Sequence, residues 1–494
     1  MNLPLMLPEI VLCVAALGVM LWDLSLAKER KGVLCWASVA VCGVLFALTF
    51  VPSVSEGGRA LGGAFLVDGL SLLAKRAFAV TGAIVFLMSR EYVDDLPRAQ
   101  GEYYVLGLFS LLGMFLVASV NDFVSLFVSL EIVTVSFFVL AAFHRERQES
   151  VEAGFKLLVI GSLSAAILLY GIAFVYGATG SVFFDEIREK LTAGPGAGRV
   201  PVTVELLFGA VLIFLGLGFK TSAVPLHVWV PDVYQGAPTP VAAFLSVGSK
   251  LAGLVLVVRT LQLFSVSPQL VPEISAFFAL VAAMTLLYVN LGAIPQTDVK
   301  RLMGYSSIGQ CGYLLIGVAS CWQTGLSGVL FYMTAYVLMN LAAFVVILLV
   351  ARATGGRQLD DFAGLARRSP LLGLAMTVAL LSLAGVPPFM GFFGKFMLLG
   401  SAFDRPDLVW LGVIGLVNVV IALYYYLCLV KRIYVAEPRV PTPLHVPGRL
   451  RMTLFVTIVL LIAGGVAPQL LERTTAQVVQ ELGFASRGAD LSRR

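Results

Sequence analysis

Apolar residues along this chain come in runs of about twenty, separated by short polar stretches, and twenty is the length one helix needs to cross a bilayer. Fourteen such segments can be marked: roughly 3–22, 32–51, 69–88, 103–120, 123–143, 151–176, 204–234, 240–262, 273–294, 302–320, 324–351, 371–402, 408–433 and 452–471. They predict an all-α polytopic membrane protein with about fourteen transmembrane helices. Segments seven and twelve are too long for one straight crossing, and each contains proline: Pro225 in the first, Pro387 and Pro388 in the second. Proline removes a backbone donor and clashes with the preceding turn, so both segments are expected to be interrupted. They stand five apart and must cross in opposite directions. Paired interrupted helices in antiparallel halves mark inverted repeats, with the working site at the breaks. The predicted organisation is therefore three helices in 1–100, a first five-helix repeat in 101–265 (spans four to eight), and an inverted second repeat in 266–435 (spans nine to thirteen). A last helix and a polar tail occupy 436–494. The tail beyond Glu472 has no reading.

Loop charges give the threading. Eighteen Lys and Arg lie in loops that follow odd-numbered spans, against five after even-numbered ones (Arg59, Arg188, Lys190, Arg199 and Arg405). Basic loops mark the cytoplasmic side. Both termini are thus expected on the opposite, periplasmic side, consistent with an even number of spans. The N-terminus lacks the basic stretch of a cleaved signal peptide, so the first segment reads as a retained span.

Composition agrees. The 494 residues are 59% hydrophobic and 13% charged, with mean hydropathy +0.94, where a soluble protein is nearer 25% charged. The net charge of +5 sits in short loops and implies no nucleic-acid partner. Cys13, Cys35, Cys42, Cys311, Cys321 and Cys428 show no C-x-x-C pairing and read as small hydrophobes. No Gly-rich phosphate loop is present, no His/Cys set has metal-ligand spacing, and only three histidines occur. The sequence itself offers no means of carrying electrons or hydrolysing ATP.

What changes the picture is a set of ionisable residues inside the apolar segments, where charge is expensive and is a functional hypothesis by default. Glu131 lies in "LFVSLEIVTVSFF", Lys156 in "EAGFKLLVIGS", Lys220 just ahead of Pro225, Lys250 in "LSVGSKLAGLVLV", and Lys395 after Pro387–Pro388 in "GVPPFMGFFGKF". Each also has a plain reading. Lys156 sits near the end of its span and can snorkel to the headgroups. Glu131, Lys220 and Lys250 could form structural ion pairs. Lys395 could satisfy carbonyls freed by the break. His227 could relay protons, or simply hydrogen-bond. Tyr336, Asn340 and Tyr424 to Tyr426 could line a polar route, although aromatics inside spans more often pack.

The chemistry such a set permits is proton transfer. Burial disfavours the charged form of an amine and a nearby carboxylate favours it, so a carboxylate that moves can load and unload an amine. A swing of two to three pKa units is worth about 3–4 kcal/mol, against about 2.3 kcal/mol to move one charge through 100 mV. Glu131, Lys220, Lys250 and Lys395 are the candidate proton path, with Lys156 and His227 as possible members. Glu131 is expected within direct or one-water reach of Lys220, and Lys250 to bridge the two breaks.

At these residues the sequence resembles the antiporter-like membrane subunits of respiratory complex I. "GFKTSAVPLHVWVPDVYQGAPTPVAAFLS" and "DVKRLMGYSSIGQCGYLL" are similar to that family's central signatures. "LPEIVLCVAALGVMLWD", "VDGLSLLAK" and "GVPPFMGFFGKF" resemble subunit N of bacterial NADH-quinone oxidoreductase in particular. The resemblance runs from residue 7 to about 435. It implies that Glu131 pairs with Lys220, that Lys250 and Lys395 continue the route, and that Lys156 is a further family lysine. It also implies a proton-translocating translocase subunit of a bacterial inner-membrane respiratory chain, assembled with other membrane-arm subunits. NADH oxidation, quinone reduction, FMN and iron–sulfur clusters would belong to those partners, leaving no cofactor or metal in this chain. The alternatives are a subunit of a multi-subunit cation/proton antiporter and a non-transporting scaffold.

Overall fold

With no water in the bilayer core, backbone polar groups must be satisfied within the segment, which favours helix throughout. The computed structural model describes residues 2–27, 30–96, 99–193, 201–438 and 442–484. Each of the fourteen predicted segments coincides with helix over most of its length, and the last ends at Val466, short of the expected 471. Among the described residues, eleven helices are long and apolar enough to cross a membrane. Val33–Leu48, Pro370–Ala384 and Met390–Phe403 are shorter apolar helices. Val299–Ser320, the tenth segment, is long but carries Lys300, Arg301 and a Ser- and Gln-containing stretch. Four loop cations in the charge count, Lys28, Arg98, Arg199 and Arg439, lie outside the described residues, as does the tail from residue 485.

Both expected interruptions are present, and each begins before its prolines. Span seven is a helix Val204–Thr221, a non-helical stretch, and a second helix Trp229–Gly236. The first half ends on Ser222 in the left-handed conformation (φ 67°). The residue ahead of a proline is steered away from helical geometry, so the break extends upstream of Pro225. Span twelve comprises Pro370–Ala384 and Met390–Phe403. Gly385 (φ 86°) closes its first half: Gly385 N–H donates to Ser382 O at 3.1 Å and Val386 N–H to Leu381 O at 3.0 Å. That pair is a Schellman motif, which favours glycine because its αL conformation penalises a Cβ. Span eight carries a third irregularity, a π turn Leu245–Ser249 between Thr239–Phe244 and Lys250–Phe264.

Two features depart from the expected pattern of spans and polar tail. The glycine-rich stretch after span two forms a small antiparallel hairpin, Gly58–Ala60 with Phe65–Val67, Arg59 opposite Leu66. Beyond the last span a helix Gln469–Glu481 turns Val478 and Val479 inward, and Leu482 and Phe484 are buried after it.

The molecule divides into two compact units. The first holds the chain through Ser222, then Gly248–Phe277 and Val478–Phe484; the second holds Ala223–Val247 and Phe278–Gln477. The chain leaves the first unit at the break of span seven and re-enters it within the π turn of span eight.

Candidate functional site

In the first unit, Lys220 occupies the last turn of Val204–Thr221, where a cation complements the exposed carbonyls and the helix dipole. It is 5% exposed, and its ammonium donates to Thr134 Oγ1 on the helix Phe123–Ala141. Thr134 lies one turn beyond Glu131, on the same face of that helix. The lysine's hydrogen bond therefore goes to a hydroxyl that sequence reading did not single out. Lys250, 1% exposed, is the first residue after the π turn. One turn on, Gly253 meets Lys220 directly: a Cβ there would lie 2.7 Å from Lys220 Cβ and 3.1 Å from Thr221 N. The helices bearing the two lysines thus touch backbone to backbone. Lys156 is placed differently. It pairs with Glu152 at 2.6 Å on its own helix, with both side chains substantially exposed.

In the second unit, Lys395 sits one turn into Met390–Phe403 and reaches back across the break. Its Nζ donates to Leu383 O at 2.7 Å and Ala384 O at 3.3 Å, the terminal carbonyls of the preceding half-helix. It also lies 4.1 Å from the centre of the Tyr313 ring. Satisfying carbonyls and holding a buried amine are here one arrangement. His227 falls in the non-helical stretch after Pro225, buried edge-to-face against Tyr288 with 5.0 Å between ring centroids. Val224 N–H, freed by the break, donates to Thr285 Oγ1 at 3.1 Å.

A polar network fills the same unit. Asn340 Nδ2 donates to Ser246 Oγ at 2.5 Å. Tyr336 Oη donates to Ser307 Oγ at 2.8 Å, and Tyr234 Oη lies 3.2 Å from the same hydroxyl. Next to it in the chain, Ser306 Oγ meets Tyr426 Oη at 2.5 Å. Gln310 Nε2 donates both to Tyr426 Oη at 3.0 Å and to Leu383 O at 3.1 Å, the carbonyl that also receives Lys395. Tyr336, Asn340, Tyr425 and Tyr426, suspected from sequence, belong to this network or its margin. Ser246, Ser306, Ser307, Gln310 and Tyr234 were not singled out, because isolated hydroxyls and amides in apolar spans carry no spacing signal.

Two ion pairs in the first unit were also missed. Glu9 on span one and Lys75 on span three meet at 2.7 Å, with side chains 3% and 0% exposed, and Lys75 lies 5.0 Å from the Phe65 ring centre. Arg259 on span eight grips Asp68 with two bonds of 2.5 and 2.6 Å. Asp68 also caps span three by accepting from Ser71 N–H at 2.9 Å. Burial alone would push the Asp68 carboxyl up, but the Arg259 guanidinium and the Ser71 hydrogen bonds hold it below the usual carboxylate range.

Comparison with known proteins follows the same line. The family model described as NADH:quinone oxidoreductase/Mrp antiporter, TM, matches residues 120–422. NADH-quinone oxidoreductase subunit N of Desulforamulus reducens is 38% identical over 470 residues, covering 94% of this chain and 96% of its own. The subunit N of Moorella thermoacetica is 39% identical over 469 residues, with coverages of 94% and 96%. A chain in the structure of respiratory complex I from Thermus thermophilus with bound aureothin is 29% identical, with TM-score 0.78 over 95% of this chain and 99% of that one. A chain of the Mrp complex from Dietzia sp. shares the fold (TM-score 0.85, 20% identity, coverages of 98% and 98%).

Proposed function

The chain belongs to the membrane-subunit family common to NADH:quinone oxidoreductases and Mrp antiporters, and from that premise we propose that it is a proton-translocating membrane-arm subunit of the subunit N type. Its place is a bacterial NADH-quinone oxidoreductase in the inner membrane, with both termini periplasmic. NADH oxidation and quinone reduction take place in partner subunits that carry FMN and iron–sulfur clusters, and this chain moves protons in response.

The observation that carries the reading is the siting of the buried amines. Lys220 and Lys395 each stand at a helix interruption, and Lys250 follows a π turn, the kind of local departure from α geometry found at functional sites. Glu131 acts on Lys220 and is the element that loads and unloads it. The path runs laterally through Lys220 and Lys250 to Lys395, across two inverted repeats at 101–265 and 266–435. The hydroxyls from Ser246 to Tyr426 supply groups that could relay protons on the second unit's part of that route. Lys156, paired with Glu152 near a span end, is an accessory member, and His227 lies beside the break.

Lys220→Ala and Lys250→Ala variants of the assembled complex, assayed for proton uptake per electron pair in sealed vesicles, test this. Uptake should fall while assembly and electron transfer persist. An unchanged ratio in both would leave a scaffold role. Co-purification without flavin and iron–sulfur subunits would favour a multi-subunit cation/proton antiporter.

A further inference from the structure

A cavity of about 520 Å³ opens in the second unit at the face that carries its basic loops. Gln296, Tyr424, Tyr425, Cys428, Lys431 and Arg432 line it. Its volume holds on the order of ten waters. Its inner wall is Tyr425, whose hydroxyl donates to Asn290 Oδ1 at 3.1 Å, while Asn290 Nδ2 donates to Asn418 Oδ1 at 3.1 Å. Asn290, Asn418 and Tyr425 are buried, so these amides and this hydroxyl form a polar seam leading inward from the cavity.

The seam continues towards Lys395. Tyr425 and Tyr426 pack with 4.5 Å between ring centroids, and their hydroxyls interact. Tyr426 meets Ser306 and Gln310, and Gln310 shares the Leu383 carbonyl with the Lys395 ammonium. Tyr332 Oη fixes the other end of that amide by donating to Gln310 Oε1 at 2.5 Å. Beside Lys395, the Tyr313 hydroxyl is buried without a protein partner, the kind of group that ordered water satisfies.

We propose that this cavity is a second, water-filled proton inlet, feeding Lys395 from the basic-loop face through Tyr425 and Tyr426, independently of the entry at Lys220. A hydrated proton in the cavity passes to Tyr425 as the Tyr425 hydroxyl turns from Asn290 and gives its own proton to Tyr426. Tyr426 gives one in turn to water at the break, and that water protonates the free amine of Lys395. Each hydroxyl ends as it began, and the net change is one proton moved from the cavity to the amine. Gln310 is a positioning residue: an amide does not hand on a proton readily, but its two bonds hold Tyr426 and the broken-helix carbonyl in register.

The inference rests on reading Lys395 as a proton carrier, and the test separates the two. Inverted vesicles bearing the assembled complex are treated with a membrane-impermeant cationic thiosulfonate, which reaches the basic-loop face and targets Cys428. Proton uptake per electron pair should fall in the wild type and be spared in Cys428→Ser. Tyr425→Phe, which removes the hydroxyl but keeps the ring, should show the same loss untreated, with electron transfer retained. If uptake is insensitive to the reagent and unchanged in Tyr425→Phe, while Lys395→Ala abolishes it, the inlet is refuted and the proton path stands. If Lys395→Ala itself pumps normally, the underlying reading fails and the inlet with it. Should Tyr425→Phe not assemble, the comparison of wild type with Cys428→Ser decides alone.

Discussion

Removing one partner of the Glu9–Lys75 pair should destabilise the protein far more than removing both. The pair is 2.7 Å apart, with side chains 3% and 0% exposed. In Glu9→Gln the Lys75 ammonium keeps, among the described residues, the Phe65 ring as its charge partner, and breaking such a buried pair costs about 3–5 kcal/mol. That corresponds to roughly two to three and a half decades in the folding equilibrium. Replacing both residues by apolar ones of similar size, Glu9→Leu with Lys75→Met, removes the uncompensated charge and should lie within about 1 kcal/mol of the wild type or be more stable. Arg59–Asp185 serves as an internal control: its contact is 3.0 Å, but its side chains are 57% and 31% exposed. Arg59→Gln should therefore cost under about 1 kcal/mol. Thermal inactivation of the purified complex, with native gels to follow retention of this subunit, reads the difference. Equal losses for Glu9→Gln and Arg59→Gln, or a double variant as damaged as the single, would refute the reasoning.

Gly253→Val should overpack the contact between spans seven and eight by about 1–3 kcal/mol. The added atoms meet backbone near Lys220, so lower thermal stability and reduced proton uptake should appear together. Asp68→Asn should lower stability at neutral pH. The folded Asp68 carboxyl is held below its unfolded value, so its contribution is present above the unfolded value, about 3.9, and is lost as pH falls through the lower folded one. In pH-dependent melting, the gap between wild type and Asp68→Asn should therefore narrow below about pH 4; a gap that widens there would contradict the assignment.

Much of this architecture was legible because membrane burial acts on each segment separately. Run length marked the helices, proline marked the two breaks, and an amine in an apolar run marked Lys220, Lys250 and Lys395. What was not legible is pairwise. Nothing along the chain says that Glu9, three residues into its helix, will face Lys75, or that Arg259 will find Asp68, a residue that also reads as an ordinary helix cap. Thr134 gave no signal because a hydroxyl that can bond its own helix is common in spans, and it does bond Leu130 O, at 2.7 Å. The π turn before Lys250 was equally hidden, since "LSVGS" has no proline and looks like ordinary helix.

The pairings also have an order in time. Glu9 precedes Lys75, Asp68 precedes Arg259, and Thr134 precedes Lys220. Gln235 and Ala237, whose carbonyls accept from Lys300, precede it, as Leu383 and Ala384 precede Lys395. A chain is synthesised from its N-terminus, so each of these cations leaves the ribosome after the group that will receive it. An isolated ammonium or guanidinium is among the least tolerated groups in hydrocarbon, and none of these five has to wait for its acceptor to be made. For these five cations biogenesis can thus proceed span by span, each arriving where its counterpart already stands; buried Arg368, which donates to Thr442 O at 3.3 Å, is an exception. The same residues permuted to begin at span six would place Lys220 in the bilayer before Thr134 existed.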